Sequence, residues 1–246
     1  MKSFSLFAAA VAMVCVCEAA SEAANSARDA ARQYGAAVRN CDMAWAVDSM
    51  YPPLRRTYAD QLTSRTREAE IARARRVQGL DRETVVQAKA RMAANDKALR
   101  AKYARMGEEM KQRGIEVESY TVGEASAEYV VTPPMAAVSQ VRRDTDGRVR
   151  AENIGTTKER SRIVVLPTTL VISAPAQGGR RTRLERKSYI FAVRDEVITD
   201  KSQPRGTVLN KWYFIDGKTD VNTLRTFFPD LPLYLRLPAS GDRILP

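Results

Sequence analysis

The chain has 246 residues and a formal net charge of +11, from 40 Lys and Arg against 29 Asp and Glu. It contains three cysteines and no histidine, which excludes Ser-His-Asp and Cys-His catalysis and histidine-ligated zinc sites. We therefore predict no catalytic residue, no metal site and no cofactor. Any chemistry would have to use carboxylate, tyrosine or lysine side chains.

The N-terminal nineteen residues have the pattern of a secretory signal peptide, in which Lys2 precedes the apolar run LFAAAVAMVCVC and then small residues. Cys17 and Ala19 fit cleavage after Ala19, and Ser21 with Ala23 gives a second option. The run is shorter than the about 20 residues of a membrane-spanning helix. We expect a periplasmic or extracellular protein with no transmembrane span; an uncleaved N-terminal anchor is the alternative.

Cleavage after residue 19 would leave residues 20–246, a length suited to a single domain. We divide it into first helices at 20–62, a basic helical segment at 63–114, an antiparallel sheet at 115–217, and a short helix with an extended tail at 218–246. Cys41 would then be the one remaining cysteine. We expect it to be a buried thiol, with an intermolecular disulfide or a reactive thiol as the alternative.

The positive charge indicates anionic partners. In an exported protein these are lipid head groups, envelope polymers or acidic glycans, and no zinc-finger, RRM or basic-zipper pattern predicts nucleic-acid binding. The alternative is that the charge serves solubility alone. The sequence does not predict an oligomeric state.

The stretch from Ala27 to Tyr58 predicts the helix around which the chain is organised, because apolar side chains recur in steps of three and four. These side chains are Ala27, Ala31, Tyr34, Val38, Cys41 and Trp45. Asp42 and Asp48 lie at the solvent edge, where Asp42 can pair with Arg39. The Pro52-Pro53 pair then begins a second helix, with Leu54, Tyr58 and Leu62 on one face.

The basic segment that follows is rich in good helix formers and predicts two helices. The first runs from about Ser64 to Val77. The second has Asp81 as its N-cap and runs to Arg113, before Gly114. The segment is either an arm that binds an anionic polymer or a partner, or a solvated helical hairpin that covers one side of the sheet.

The second half of the chain predicts strands, because β-branched and aromatic residues form short runs between turn residues. The strands are Ile115–Thr121, Ser126–Val131, Val138–Arg142 paired with Arg148–Glu152, Arg162–Ser173, Arg183–Arg194 and Val208–Ile215. Turns are expected at Asp146-Gly147, Gly178-Gly179 and Asp216-Gly217. The predicted fold class is α+β, with N-terminal helices packed on a curved antiparallel sheet and a long basic helical insertion.

A short helix capped by Asp220 and stopped by Pro229 is predicted next, followed by a leucine-rich extended tail. Leucines alternate with other residues from Leu231 to Leu237, so one face of the tail should pack on the core as an edge strand or a strap. If it were exposed, the tail would be a docking peptide.

Ala30, Tyr34, Ala37, Asp42 and Ala46 form the pattern A-x-x-x-Y-x-x-A-x-x-x-x-D-x-x-x-A, and Trp212, Phe214 and Ile215 lie in the strand KWYFIDG. With the proline-marked second helix, these residues resemble the nuclear-transport-factor-2-like superfamily, which includes secreted bacterial members of unknown role. The long basic segment and the hairpin around Asp146 would be insertions in that compact fold.

The resemblance implies a concave sheet folded around the first helix, with a pocket at its open end. Some members are isomerases or dehydratases, and many bind ligands or partners without catalysis, so the fold alone does not define a function. The isomerases use an Asp base with a Tyr and a second acid. Nothing in this chain places an Asp at that position, so the resemblance assigns no catalytic role.

Four aromatic residues are the expected ligand contacts: Tyr34, Trp45, Tyr189 and Trp212. Core packing is the alternative for each. The first functional hypothesis is a non-enzymatic domain that binds a small apolar ligand, a peptide or an envelope component, with basic helices that steer it to an anionic polymer or lipid surface. The alternatives are an enzyme that uses a pocket carboxylate with Tyr34 or Tyr189, and a structural protein that docks partners through its basic helices.

Overall fold

A computed structural model describes residues 4–64, 67–77, 84–132, 139–143, 149–153, 157–199 and 211–246. Within these ranges the helices are α1 (Phe4–Arg39), α2 (Met43–Asp48), α3 (Pro52–Thr63), α4 (Arg67–Val77), α5 (Val85–Gln112) and α6 (Val221–Phe227). The strands are β1 (Glu116–Val122), β2 (Ala127–Val131), β3 (Ser139–Arg143), β4 (Val149–Asn153), β5 (Thr157–Pro175), β6 (Arg181–Thr199), β7 (Tyr213–Asp216) and β8 (Gly241–Leu245). The predicted α+β class is confirmed.

The sheet is built on a long hairpin of β5 and β6, each of 19 residues. Its tight turn contains Gly178 and Gly179, as predicted, with φ angles of 76° and 74° that favour glycine. On the β5 side, β1 pairs with the second half of the strand and β2 with the first half. On the β6 side, β7 and β8 pair with successive segments.

Pro167 lies in the middle of β5, a position that usually excludes proline because a central strand needs its N–H groups. Its carbonyl accepts a hydrogen bond from the N–H of Gly123, at 2.9 Å, in the connection between β1 and β2. The missing N–H therefore falls at the junction where one neighbouring strand ends and the next begins. The proline is tolerated because the ladder is already interrupted there.

The central part of the sheet is buried on both faces, and side chains that alternate along each strand belong to two separate cores. One face packs against α1 and contains Ala23, Ala27, Ala31, Val164, Leu166, Ile190, Ala192, Trp212 and Phe214. The other face packs against α3, α6 and the tail and contains Tyr51, Leu54, Val131, Ile163, Val165, Phe191, Val193, Ile215, Leu224, Phe228 and Leu231. The sheet is thus the middle layer between two sets of helices.

The predicted continuous helix from Ala27 towards Tyr58 is wrong in one respect, because α1 ends at Arg39 and α2 begins at Met43. Cys41 has a φ angle of 55°, in the left-handed region, and is buried. Asp42 caps α2, accepting a hydrogen bond from the N–H of Trp45 at 3.0 Å. Asp42 therefore starts a new helix, and the expected pairing with Arg39 is not the contact that its side chain makes.

The basic helix α5 packs on α2 and α3. Leu99 of α5 is buried against Val47 of α2 and Ala59 of α3. Arg55 of α3 donates two hydrogen bonds to the carboxylate of Asp96, at 2.5 and 2.6 Å. Apolar burial and a partly buried ion pair together hold this helix against the other two.

The beginning of α5 also differs from the prediction. Thr84 is the N-cap, and its side chain and that of Gln87 form a reciprocal capping box. Asp81, the expected N-cap, lies outside the described residues. The end of the helix is as predicted, because Gly114 follows it with a φ angle of 64°.

The predicted strands correspond to β1 to β7, and the predicted pairing of the third and fourth strands is confirmed as β3 with β4. The expected turn at Asp146-Gly147 and the start of the last predicted strand lie outside the described residues. In the tail, Leu231 is buried and Leu235 packs on the core, while Leu233 is 78% exposed. The last strand, β8, was not predicted; it extends the sheet at the edge of β6.

Among the described residues, no helix combines the length and the apolar character needed to cross a lipid bilayer.

Candidate functional site

The candidate site lies beside the short strand β7, where the chain crosses from one face of the sheet to the other. Between α2 and α3, residues 49–51 run alongside β7: the N–H of Phe214 donates to the Ser49 carbonyl at 2.8 Å, and the N–H of Tyr51 donates to the Phe214 carbonyl at 3.0 Å. This parallel bridge covers the edge of β7. It also fixes α2 and α3 relative to the sheet, which creates a space between them and α1.

This space is a cavity of about 240 Å³, which we call the tyrosine cavity. Side chains from four helices and from β7 meet in it, so it depends on the whole tertiary structure. Its lining residues are Tyr34, Ala46, Met50, Leu54, Tyr58, Tyr103, Phe214, Asp216, Lys218 and Thr219. The walls are aromatic and apolar, and the last three residues supply a polar rim.

Tyr34 is the central aromatic residue of the cavity wall. Its ring centroid lies 5.0 Å from that of Phe214, 6.2 Å from Tyr120 and 6.5 Å from Trp45. The Tyr120 ring stands edge-on to it, an arrangement that aromatic quadrupoles favour. Tyr34 is therefore held in place by rings on several sides while its own ring faces the cavity.

The phenol groups of Tyr34 and Tyr103 are stabilised in their neutral form. The pKa of Tyr34 is raised to about 12, chiefly by burial, with smaller contributions from the negative charges of Asp216 and of an ionised Tyr103. Burial also raises the pKa of Tyr103, with contributions from Tyr58 and Asp216. At neutral pH these hydroxyls can thus donate or accept hydrogen bonds without carrying charge.

Asp216 is the acid among the lining residues, and it is exposed to solvent. Its carboxylate accepts a hydrogen bond from the backbone N–H of Lys218, at 2.8 Å, in the turn that follows β7. It is therefore a solvated turn residue at the cavity mouth. Its charge reaches the phenols of Tyr34 and Tyr103, but the carboxylate is not enclosed with them.

Of the four predicted ligand contacts, Tyr34 alone is among the lining residues of the tyrosine cavity. Trp45 packs against Tyr34 with its ring tilted, and it is partly buried. Tyr189 packs edge-on against Phe191 at 5.6 Å, within the core on the opposite face of the sheet. Trp212 is 5% exposed, donates a hydrogen bond to Ser26 at 3.0 Å and lies under the guanidinium of Arg194.

Sequence reasoning did not select Tyr58, Tyr103 and Phe214 as site residues. The sequence places Tyr58 on an apolar helix face, Tyr103 within the second basic helix and Phe214 within a strand, which is correct but does not show that they meet. The helices that carry the two tyrosines are separated by α4 along the chain. No sequence spacing relates residues on separate helices, so only their packing brings these rings together.

Asp48, which the sequence places with Asp42 at the solvent edge, lies in an ion-pair network. It pairs with Arg55 at 3.0 Å and with Arg100 at 3.0 Å. These contacts join α2, α3 and α5 outside the cavity lining. Asp48 is therefore a structural residue, in agreement with its predicted place at the solvent edge.

A second cavity, of about 290 Å³, lies between α3 and α5. We call it the groove cavity. It is lined by Tyr58, Gln61, Leu62, Leu99, Lys102 and Tyr103. Tyr58 and Tyr103 also line the tyrosine cavity, so the two spaces share these rings as a common wall. The pair of tyrosines is the boundary between them.

Within the described part of the chain, no three acidic or cysteine side chains lie close enough together to hold a metal ion. Comparison of the chain with known protein families, with characterised proteins and with solved structures finds no match. The functional interpretation therefore depends on the side chains of the two cavities and on their surroundings.

Proposed function

We propose that the protein binds a largely apolar small ligand in the tyrosine cavity and does not transform it. The observation that supports this most directly is the composition of the cavity: three tyrosines, a phenylalanine and aliphatic side chains around about 240 Å³, with the charged side chains Asp216 and Lys218 at the rim. Apolar walls with a few convergent hydrogen-bonding groups are typical of small-molecule sites. The neutral phenols supply those groups.

The resemblance to the nuclear-transport-factor-2-like superfamily remains a proposal that depends on the helix and strand residues quoted above. It is compatible with a ligand-binding role, because many members of that superfamily bind ligands without catalysis. Export by an N-terminal signal peptide is likewise proposed. The buried α1 residues named in the core begin at Ala23, so cleavage after Ala19 would leave them in place.

The enzyme alternative depends on Asp216, whose charge reaches Tyr34 across the cavity mouth. A general base at this site would need to be desolvated to reach the pKa that proton transfer at neutral pH requires. Asp216 is exposed and bound to a turn N–H, which favours binding over catalysis. Asp216→Asn should therefore leave ligand affinity nearly unchanged.

The basic surface supports a second part of the proposal, attraction to an anionic polymer or lipid surface. Arg73, Lys89, Lys97 and Arg105 are exposed on α4 and α5. Exposed charges are screened by salt, so adsorption to anionic vesicles should weaken as ionic strength rises from 0.01 to about 0.15 M. Adsorption that does not depend on salt would contradict this part and leave the cavity proposal intact.

The cavity proposal is tested by isothermal titration calorimetry with indole, an aromatic probe with one hydrogen-bond donor. Ala46→Leu adds side-chain volume inside the cavity and should weaken binding by about tenfold or more, while the thermal stability is retained. Ala101→Leu, a matched change at an exposed position of α5, should have no effect. Absence of indole binding to the wild type, or equal binding by Ala46→Leu, would refute the proposal.

A further inference from the structure

The groove cavity adjoins the tyrosine cavity, because Tyr58 and Tyr103 line both. We propose that the two cavities form one site for an elongated amphiphile with a single carboxylate, whose apolar chain lies in the tyrosine cavity and whose carboxylate lies beside Lys102. This inference depends on the proposed ligand-binding function and specifies the chemical class of the ligand.

The first argument is size. The tyrosine cavity, at about 240 Å³, is below the range of about 300–1,000 Å³ that is usual for ligand sites. The groove cavity adds about 290 Å³, and the combined space falls within the range. A ligand that occupies both must be long, because it extends past the shared side chains Tyr58 and Tyr103.

The second argument is the distribution of polarity along this path. The tyrosine cavity has Ala46, Met50, Leu54 and Phe214 on its walls, which suits a hydrocarbon chain. In the groove cavity, Gln61 and Lys102 face solvent at the outer end. A molecule with an apolar body and one polar end matches this gradient from apolar to polar.

The third argument is charge. Lys102 is the charged residue among the groove lining, and it makes no ion pair with any acid in the described part of the chain. Lys218, at the other end of the path, lies close to two acids. Its backbone N–H donates a hydrogen bond to the Asp216 carboxylate. The pKa of Asp242 is lowered by a hydrogen bond from Arg186, and the charge of Lys218 contributes to this lowering. An anionic head group is therefore attracted to Lys102.

Tyr58 and Tyr103 contribute to selectivity at the boundary between the cavities. Both are partly buried and belong to both linings. Neither side chain supplies a positive charge, so a carboxylate placed beside them would lose hydration without a compensating ion pair. The carboxylate is thus kept on the Lys102 side, which orients the ligand.

The test uses the full chain and calorimetric titration with decanoate, decyltrimethylammonium and indole, each below the concentration at which micelles form. Wild type should bind decanoate more tightly than the ammonium compound. Lys102→Glu should weaken decanoate binding by about tenfold or more, because it removes a charge-assisted contact and adds repulsion. The same variant should reverse the preference in favour of decyltrimethylammonium.

Lys97→Glu is the matched control, with the same change of net charge at an exposed lysine of the same helix; it should change decanoate affinity by less than about twofold. Indole binding without decanoate binding, or decanoate binding that Lys102→Glu does not weaken, would overturn this inference and leave the proposed function standing. Failure of both indole and decanoate to bind would overturn both.

Discussion

The contact between α5 and the turn that joins α1 and α2 depends on Gly107. A Cβ atom at this position would lie 2.1 Å from the carbonyl oxygen of Cys41, well below the 3.0 Å under which such contacts essentially never occur. The obstacle is backbone, so Gly107→Ala requires α5 to retreat by roughly 1 Å or the turn to deform. Tyr103, one helical turn earlier, would move away from the cavity with the helix.

Two effects of Gly107→Ala have opposite signs. Helix propensity alone would stabilise the protein by about 1 kcal/mol, whereas overpacking costs about 1–3 kcal/mol and sometimes more. A clash with backbone belongs to the upper part of that range, so we expect the free energy of unfolding to fall by about 1–2 kcal/mol. Indole affinity should fall as well, because Tyr103 is displaced from the cavity wall.

Urea unfolding followed by circular dichroism measures the change in stability. Ala104→Gly, at an exposed position of the same helix, calibrates the propensity term and should cost about 1 kcal/mol. A Gly107→Ala protein that is more stable than wild type would refute the close contact, because propensity would then be the larger effect.

Three further predictions follow from side-chain contacts. Arg55→Ala should lower the free energy of unfolding in urea by about 1.5–3 kcal/mol, because its largely buried guanidinium makes charge-assisted bonds to carboxylates of α2 and α5. Arg183→Ala removes a more exposed ion pair and should cost less than about 1 kcal/mol. Equal costs for the two variants would contradict the expectation that the less exposed ion pair contributes more. Asp42→Ala should lower thermal stability by the equivalent of about 1 kcal/mol through loss of the α2 cap, whereas Asp220→Ala should have a smaller effect, because the Asp220 side chain makes no capping bond. The pKa of Tyr34 is raised by burial to about 12, so the unfolded chain loses this phenol proton first and stability should fall as pH rises from about 10 through 12. Burial also raises the pKa of Tyr51 and Tyr120, so titration of tyrosinate absorbance should show several late-ionising groups, and one fewer in Tyr34→Phe. An unchanged number of late-ionising groups in that variant would contradict the assignment.

Much of the fold could be predicted from local patterns. The alternation of β-branched residues in β5 and β6, with Gly178 and Gly179 between them, defines a hairpin whatever surrounds it, because pleat and turn geometry are local properties. The proline pair before α3 and the glycine after α5 similarly mark helix ends. Strand faces followed from the period of two, and the opposite burial of Phe214 and Ile215 agrees with it.

The candidate site could be predicted only in part, as Tyr34. Its place on the buried face of α1 was readable from helical spacing, and that face does meet Phe214. Tyr58 was equally readable as an apolar-face residue, but no sequence spacing relates Tyr58 or Tyr103 to Tyr34. Trp212 was also predicted as an aromatic ligand contact, but it lies in the core, because Ser26 and the Arg194 guanidinium over its ring enclose it.

The amino-acid sequence by itself determined the classes of element, their order and which side of each is apolar, since propensity, periodicity and caps act over a few residues. The tertiary structure alone shows where α1 stops, at a left-handed turn whose Cys41 carbonyl packs closely against Gly107, which lies on α5 far along the chain. It also decided that the edge of β7 is covered by the chain at Met50, and that rings from three helices close one cavity. These features depend on long-range packing, and no local pattern encodes which distant residue will fill a given space.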